Sequence, residues 1–441
     1  MEDLNEWSED TETETIEGAE SSEEEGGMNE AEGEDSETLE NWEPEPQISM
    51  DILLQPDDYQ PPSLDRVPHF TPLIHQSPPH QAQARIPVGT DTTSPLAYFK
   101  LFVSDNTICE LVKNTNLYAE KKNAGIGTSR TWHATHEREL KVWFAIIIYM
   151  GLHQNSAKTP RPNLYWNPES DCMASPMRFM SLTRFEQIKR FFHISKVEDL
   201  GEPASHTSST SSSKSPNPPR LAKRPAPAWY EKVEPMAIPL RLASQKYLLP
   251  ATEIAVDEMM VKFMGKSSHT IKIKNKPIKQ GYKIFALCWR GYTINFTYSS
   301  RVKGIAGVPK IIPKPNEPKP LAPTYRVVDY LVSCLPYQQF RFNIYLDNLF
   351  TNVPLFRLLR QKGIGACGTT RKNSEGYPKT FKNKKEKGKS TYPEWNTLEG
   401  ELVGSGDVLA LLWMDQNLVM MLTTIHEVDN IGCYITRNRR R

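Results

Sequence analysis

The sequence predicts a mixed α/β fold behind an acidic amino-terminal tail, and three observations carry that expectation. Residues 95–193 place apolar side chains at helical three- and four-residue steps. Residues 253–298 show β-branched and aromatic runs broken by short polar turns, and residues 325–369 alternate helix-like with strand-like segments. Over 441 residues, 24% charged and 38% hydrophobic describe a soluble chain with core material for about two domains. The longest apolar run, Val142 to Tyr149, falls far short of the roughly 20 residues that a spanning helix needs. The amino terminus is acidic where a signal or transit peptide is basic, so the chain reads as intracellular, with no membrane partner.

From Met1 to Asp58 the composition is Glu, Ser, Thr and Gly without periodicity, which buries too little apolar surface to offset its ordering entropy, so disorder is expected. Residues 1–65 contain no Lys or Arg and 24 of the 53 acidic residues; the remainder carries 53 basic against 29 acidic residues, a net of +24. A body that basic suits a polyanion, foremost a nucleic acid. The tail either competes for the same surface or only solubilises the chain. A Pro- and His-rich stretch through Pro61, Pro62, Pro68, Pro72, Pro78 and Pro79 reads as an extended linker to about Pro87, which makes residues 1–93 a disordered tail and linker.

Folded structure is expected from Ser94. Pro95 to Tyr118 sets Phe99, Phe102, Val103, Ile108, Leu111 and Val112 at helical steps, a second helix runs from Glu137 to Gly151, and a third from Ser181 to His193 opens on a Ser or Thr cap. Together they make residues 94–200 a helical subdomain. Trp143, Phe144, Phe185, Phe191 and Phe192 share that spacing and read as core in preference to base-stacking platforms, while His133 and His136, just before a helix, read as cap or surface groups.

Residues 201–236 turn to Ser, Pro and Lys and read as a flexible insertion. Strands are then expected at Glu253–Phe263, Tyr282–Trp289 and Thr293–Tyr298, a helix at Tyr325–Leu335, a strand at Arg341–Leu346, a helix at Val353–Lys362 and a strand at Gly365–Thr369. Three strands, helix, strand, helix is the skeleton of an RNase H-like sheet, assigned to residues 237–370; residues 371–441 are left as a basic, insertion-like segment with a truncated end. Six singly scattered cysteines suggest neither disulfides nor a zinc site, and the default is reduced, mostly buried thiols.

Two carboxylates fall at strand ends in this skeleton, Asp257 and Asp347, on strands expected to be adjacent. A lone Asp there is usually a cap or an ordinary strand-end residue, whereas a pair offers the oxygen ligands that phosphoryl transfer by two metal ions requires. Lys262, Lys266, Lys272, Lys274, Lys276, Lys279 and Lys283 follow, with His269 and Tyr282 among them, and can grip phosphates along a DNA strand. The tract Lys379 to Lys389 reads equally as a solvated loop, a DNA arm or a nuclear import signal, and Arg437, Arg439, Arg440 and Arg441 could also serve import.

Several ordered motifs carry a resemblance: PLAYFKLFVSD from Pro95, VDEMMVKFMG (Val256 to Gly265), NKPIKQGYK (Asn275 to Lys283), YLDNLFTN (Tyr345 to Asn352) and LLRQKGIGACGTTRKN (Leu358 to Asn373). Over Pro95 to Glu427 the chain resembles the piggyBac transposase family, including its transposable element-derived members. The resemblance implies a helical dimerisation and DNA-binding region before an RNase H-like DDE/DDD transposase core. It also implies Mg²⁺ as cofactor, Asp257 and Asp347 as the first two members of the catalytic Asp triad, and Arg371 and Lys372 as DNA contacts near the cut.

Trp413, Asp415 and Leu422 to His426 match the stretch that precedes the family's third acid, but the Gly-Gly-Val-Asp element expected next is not found before Arg441, nor is the Cys-rich zinc domain. Asp415 and Asp429 are the obvious stand-ins and read instead as turn residues. The expectation is a nuclear, DNA-binding, transposase-derived protein, with a homodimer as its candidate assembly, that takes no small-molecule substrate and lacks complete catalytic activity. An active Mg²⁺-dependent transposase and a decayed remnant without a stable fold remain as alternatives.

Overall fold

A computed structural model describes residues 62–127, 130–153, 162–167, 178–197, 230–265, 267–273, 276–300, 304–305, 308, 320–384, 393–414 and 417–428. The expectations for the acidic tail through residue 61, for the Ser- and Pro-rich stretch 201–229, and for Lys266, Lys274, Asp415, Asp429 and the terminal arginines lie outside these residues.

The stretch expected as one helix from Pro95 forms two, α1 (Pro95–Phe102) and α2 (Asp105–Lys121). Val103 turns to an extended conformation between them, and Ser104 then caps α2 by accepting from the Thr107 N–H, so a cap inside an apolar run outweighs its periodicity. In α3 (Glu137–Leu152) the cap is His136, whose Nδ1 accepts from the Glu139 N–H, and in α4 (Leu182–Phe191) it is Ser181. Ile108, Leu111, Leu140, Trp143, Ile146, Phe185 and Ile188 from α2, α3 and α4 close one core, which places Trp143 and Phe185 inside it. Glu139 and Arg184 pair across that core's rim, with nitrogen–oxygen distances of 2.6 and 2.7 Å.

A fifth helix, α5 (Glu234–Tyr247), was not anticipated from the sequence. Pro235 in its first turn is compatible with helix initiation, but Pro239 inside it breaks the expected pattern. Packing supplies what propensity withholds: Ala237 of α5 sits against Ile284 and Tyr298 of the sheet.

The Pro- and His-rich segment read as a linker is bound along the core. Phe70 is buried against Leu409 and Leu411, the Leu73 N–H donates to the Thr424 carbonyl at 2.7 Å, and the His80 N–H donates to Thr252 Oγ1 at 2.8 Å. Beyond them β1 (Gln83–Ala84) pairs antiparallel with β2 (Leu248–Leu249). A segment without regular structure satisfies its backbone groups here on the edges of other elements.

The sheet comprises β3 (Glu253–Lys262), β4 (Ile271–Lys272), β5 (Gln280–Trp289), β6 (Tyr292–Ser300), β7 (Gly304–Ile305), β8 (Asn343–Leu346), β9 (Gly365–Thr369), β10 (Leu398–Val403), β11 (Val408–Met414) and β12 (Leu418–Thr423). Its order is β10-β11-β12-β9-β8-β3-β5-β6-β7, with β4 on β5; β3–β8 and β8–β9 run parallel and the other pairs antiparallel. The two parallel steps are bridged by α6 (Pro323–Val332) and α7 (Val353–Gln361), as parallel pairs require. Ile254, Val256, Phe285, Leu287, Ile344 and Leu346 face Val327, Val328 and Leu331 of α6 and Leu355, Phe356 and Leu359 of α7 in the main core. After α8 (Lys379–Asn383), residues 398–423 continue this same sheet, where the sequence suggested a separate basic segment. Of the described cysteines only Cys367 is buried, and Cys109 is exposed, so the expectation of mostly buried thiols does not hold for them.

Candidate active site

Parallel pairing of β3 with β8 matches Glu253, Ile254, Ala255 and Val256 to Asn343, Ile344, Tyr345 and Leu346. One residue further, Asp257 and Asp347 stand level on neighbouring strands, which lie about 4.8 Å apart in any sheet. Ile254 and Val256 point into the helix-covered core, so alternation sends Asp257 to the opposite face, and both Asp residues are exposed there. Each carboxylate is oriented by the backbone that follows it: Oδ1 of Asp257 accepts from the Glu258 N–H and Oδ1 of Asp347 from the Asn348 N–H, both at 2.6 Å.

Two loops meet at this end of the strands. The Asp347 carbonyl accepts from Thr351 Oγ1 at 3.0 Å, and the Thr351 carbonyl in turn accepts from Thr370 Oγ1 at 3.2 Å and Ser374 Oγ at 2.8 Å. That clamp holds the segment after β9 against the segment after β8 and carries Arg371 to the residue after Asp347, where its Nε donates to Asn348 Oδ1 at 3.1 Å. Lys372 follows in the same turn. Close approach is possible because residue 368 is a glycine; a Cβ there would lie 2.3 Å from the Leu346 carbonyl oxygen and 2.5 Å from Thr351 Oγ1.

The lysines divide into two groups. Lys276 and Lys279 lie in the turn between β4 and β5, where the Ile273 N–H donates to the Lys279 carbonyl at 2.8 Å, and Lys279 is exposed. Lys262 and Lys272 are exposed on β3 and β4. Lys283 differs: its Nζ donates to Glu258 Oε1 at 2.6 Å, and both side chains are largely buried. It braces β3 behind Asp257. Asp407, a further candidate ligand, is engaged by Arg357 at 3.1 Å on another part of the sheet.

Hard oxygen donors from two Asp carboxylates on neighbouring strands, each with one oxygen held by the following backbone N–H, fit one Mg²⁺ ion. Among the described residues no third His, Cys, Asp or Glu completes a three-ligand group with them. On the same face, further from the strand ends, Tyr345 has its hydroxyl pushed well above the ordinary range by burial and by Glu253, and burial pushes the Cys367 thiol up to about 11 against the lowering effect of a hydrogen bond with Thr423. Neither is ionised at neutral pH. Asn348, Thr351, Ser374 and Glu258 were not singled out in the sequence; YLDNLFTN contains two of them and VDEMMVKFMG a third, but their roles depend on which loops meet.

Residues 94–441 match the family model described as Transposase IS4. The chain is 26% identical over 336 residues to human PiggyBac transposable element-derived protein 2, covering 74% of this chain and 47% of that protein. It is 22% identical over 370 residues to human PiggyBac transposable element-derived protein 3, covering 79% and 51%. It therefore spans about half the length of these curated relatives. The cryo-EM structure of a piggyBac transposase synaptic complex with hairpin DNA shares the fold at a TM-score of 0.59 and 22% identity, over 80% of this chain and 65% of that one.

Proposed function

Because the chain belongs to the Transposase IS4 family and within it is a piggyBac transposase-derived protein, we propose that it binds DNA through the strand ends bearing Asp257 and Asp347. The observation that carries this reading is the delivery of Arg371 to Asn348, beside Asp347, by a loop clamped at Thr351. A guanidinium at a carboxylate pair serves a substrate that is itself anionic, and a phosphodiester fits both. The helix-linked order β3, β5, β6, α6, β8, α7, β9 supports the RNase H-like reading of this core.

Asp257 and Asp347 would hold the metal, and bound Mg²⁺ supplies Lewis-acid polarisation of a phosphoryl oxygen. The chain's own residues position the DNA. Arg371 and Lys372 grip the backbone beside the carboxylates, while Lys276 and Lys279 hold it further along β5. Among the described residues two carboxylates would hold one cation, whereas two-ion strand cleavage draws on a larger donor set, and the reading is therefore DNA binding without cleavage. Nuclear residence, supported by the Lys379 to Lys389 tract, and a homodimer through the helical part belong to the same proposal.

The test is incubation of the purified chain with Mg²⁺, then Mn²⁺, on DNA carrying the flanks of its own gene. Binding without strand breaks supports the reading. Breaks that vanish in both Asp257→Ala and Asp347→Ala would make the protein an active transposase instead.

A further inference from the structure

β3 and β5 run on together past the end of β8, as a ribbon from Glu258–Phe285 to Lys262–Gly281 that β6 edges at Phe285 and Ile284 and β4 flanks at Gly281. On the face that bears Asp257, alternation places Met259 and Val261, and their cross-strand partners Ile284 and Tyr282 stand opposite. Met259 is 36% exposed and Val261 49%. Phe263 continues the row and tilts over the Tyr282 ring at a centroid distance of 5.1 Å, and Met264 next to it is 73% exposed. An apolar and aromatic lane thus leads directly away from the carboxylate pair.

The sequence that forms it and follows it is uniformly basic. From Met259 to Asn316 the sequence contains no Asp or Glu and 12 Lys or Arg. Of these, Lys272, Lys276 and Lys279 rim the ribbon, and none has a carboxylate within ion-pairing distance among the described residues. Duplex DNA hides its base faces and presents phosphates alone; a strand with unpaired bases presents both. A lane of Met, Val and aromatic side chains bordered by lysines matches the second kind of ligand.

We infer that the β3–β5 ribbon is a binding surface for unpaired DNA, with nucleotide bases lying on Met259, Val261 and the Phe263–Tyr282 pair and phosphates held by Lys272, Lys276 and Lys279. This inference rests on the DNA-binding reading above and deepens it. The strand next to the Asp257–Asp347 pair is thereby held open.

The experiment compares, by fluorescence anisotropy with the full chain, a blunt duplex and the same duplex carrying a thymidine tail of about eight nucleotides. The expected result is about tenfold tighter binding of the tailed DNA, a preference that Val261→Ser and Met259→Ser reduce severalfold while blunt-duplex affinity stays the same. Both positions are partly exposed, so these variants keep the fold. A tail carrying 5-iododeoxyuridine should also photocrosslink to Tyr282 or Phe263. Equal affinity for the two DNAs, or a preference for the blunt one, overturns the inference and leaves DNA binding intact; a failure to bind either overturns the DNA-binding reading itself.

Discussion

Lys283 reaches from β5 across to the Glu258 carboxylate on β3 at 2.6 Å, and the backbone N–H of that same Glu258 is the group that orients Asp257. A lysine inside a basic run, which the sequence counts among the DNA contacts, is thus engaged in the support of a candidate metal ligand. Its ammonium also lies 4.9 Å from the Phe285 ring centroid, on the face that the helices cover.

Lys283→Met should therefore cost about 2–3 kcal/mol of stability, because it strands the Glu258 carboxylate in a largely buried position. It should leave the salt dependence of DNA binding unchanged. Lys279→Ala should do the reverse, lowering the slope of log affinity against log salt by about one without a change in melting. Salt titrations and melts of both variants check this, and a Lys283→Met protein with normal melting and a shallower slope would contradict it.

Gly368→Ala should cost about 1–3 kcal/mol, since the new Cβ would press on the Leu346 carbonyl and on Thr351 Oγ1. The same displacement moves Asp347 and the loop that carries Arg371, so DNA affinity should fall too. A urea midpoint and an affinity equal to those of the parent chain would show that the loops do not meet as described.

At Glu139 burial opposes ionisation, but hydrogen bonds from Arg184 and Thr135 outweigh it and hold the carboxyl below its ordinary pKa. A carboxyl depressed in the folded state stabilises above its unfolded pKa, and that contribution is lost as pH falls through the folded value. Urea midpoints should therefore place the parent chain above Glu139→Gln at pH 7, and the gap should close as the pH falls through the acid range in which this carboxyl takes up its proton. A gap that persists unchanged into acid would remove the ion pair from the account.

Phe70→Ala should destabilise the chain by about 3 kcal/mol, because the ring is fully buried on Leu409 and Leu411, and it should expose Arg66 and Arg85 to trypsin. His69→Ala, at a largely exposed neighbour, should alter neither property. If the parent chain is cut at Arg66 as fast as the Phe70 variant, residues 62–93 are a linker after all.

The elements that period and turn chemistry specify locally were legible in the sequence. β3, β5, β6, β8 and β9 and the helices α3, α4, α6 and α7 fall within a few residues of their expected bounds, and Asp257 and Asp347 occupy neighbouring strands. What was not legible depends on partners distant in the chain. Pro235 and Pro239 conceal α5, whose helix is fixed by Ala237 against Ile284. Prolines likewise conceal the binding of residues 62–93, because Phe70 has no periodic companion and finds its apolar partners more than three hundred residues away. Residues 398–423 join the sheet through the pairing of β12 with β9, which no local pattern announces. The clamp at Thr351 is invisible for the same reason, since its hydroxyl donors come from another loop.

The most direct test of the central claim is the affinity of the chain for a DNA duplex between 50 and 200 mM salt. With Lys272, Lys276, Lys279 and Arg371 each engaging a phosphate, log affinity should fall against log salt with a slope of about −4 or steeper, a loss of a few hundredfold across that range. A response close to flat would mean that these cations do not meet a phosphate backbone and would contradict the assignment of the Asp257–Asp347 strand ends as a DNA-binding surface.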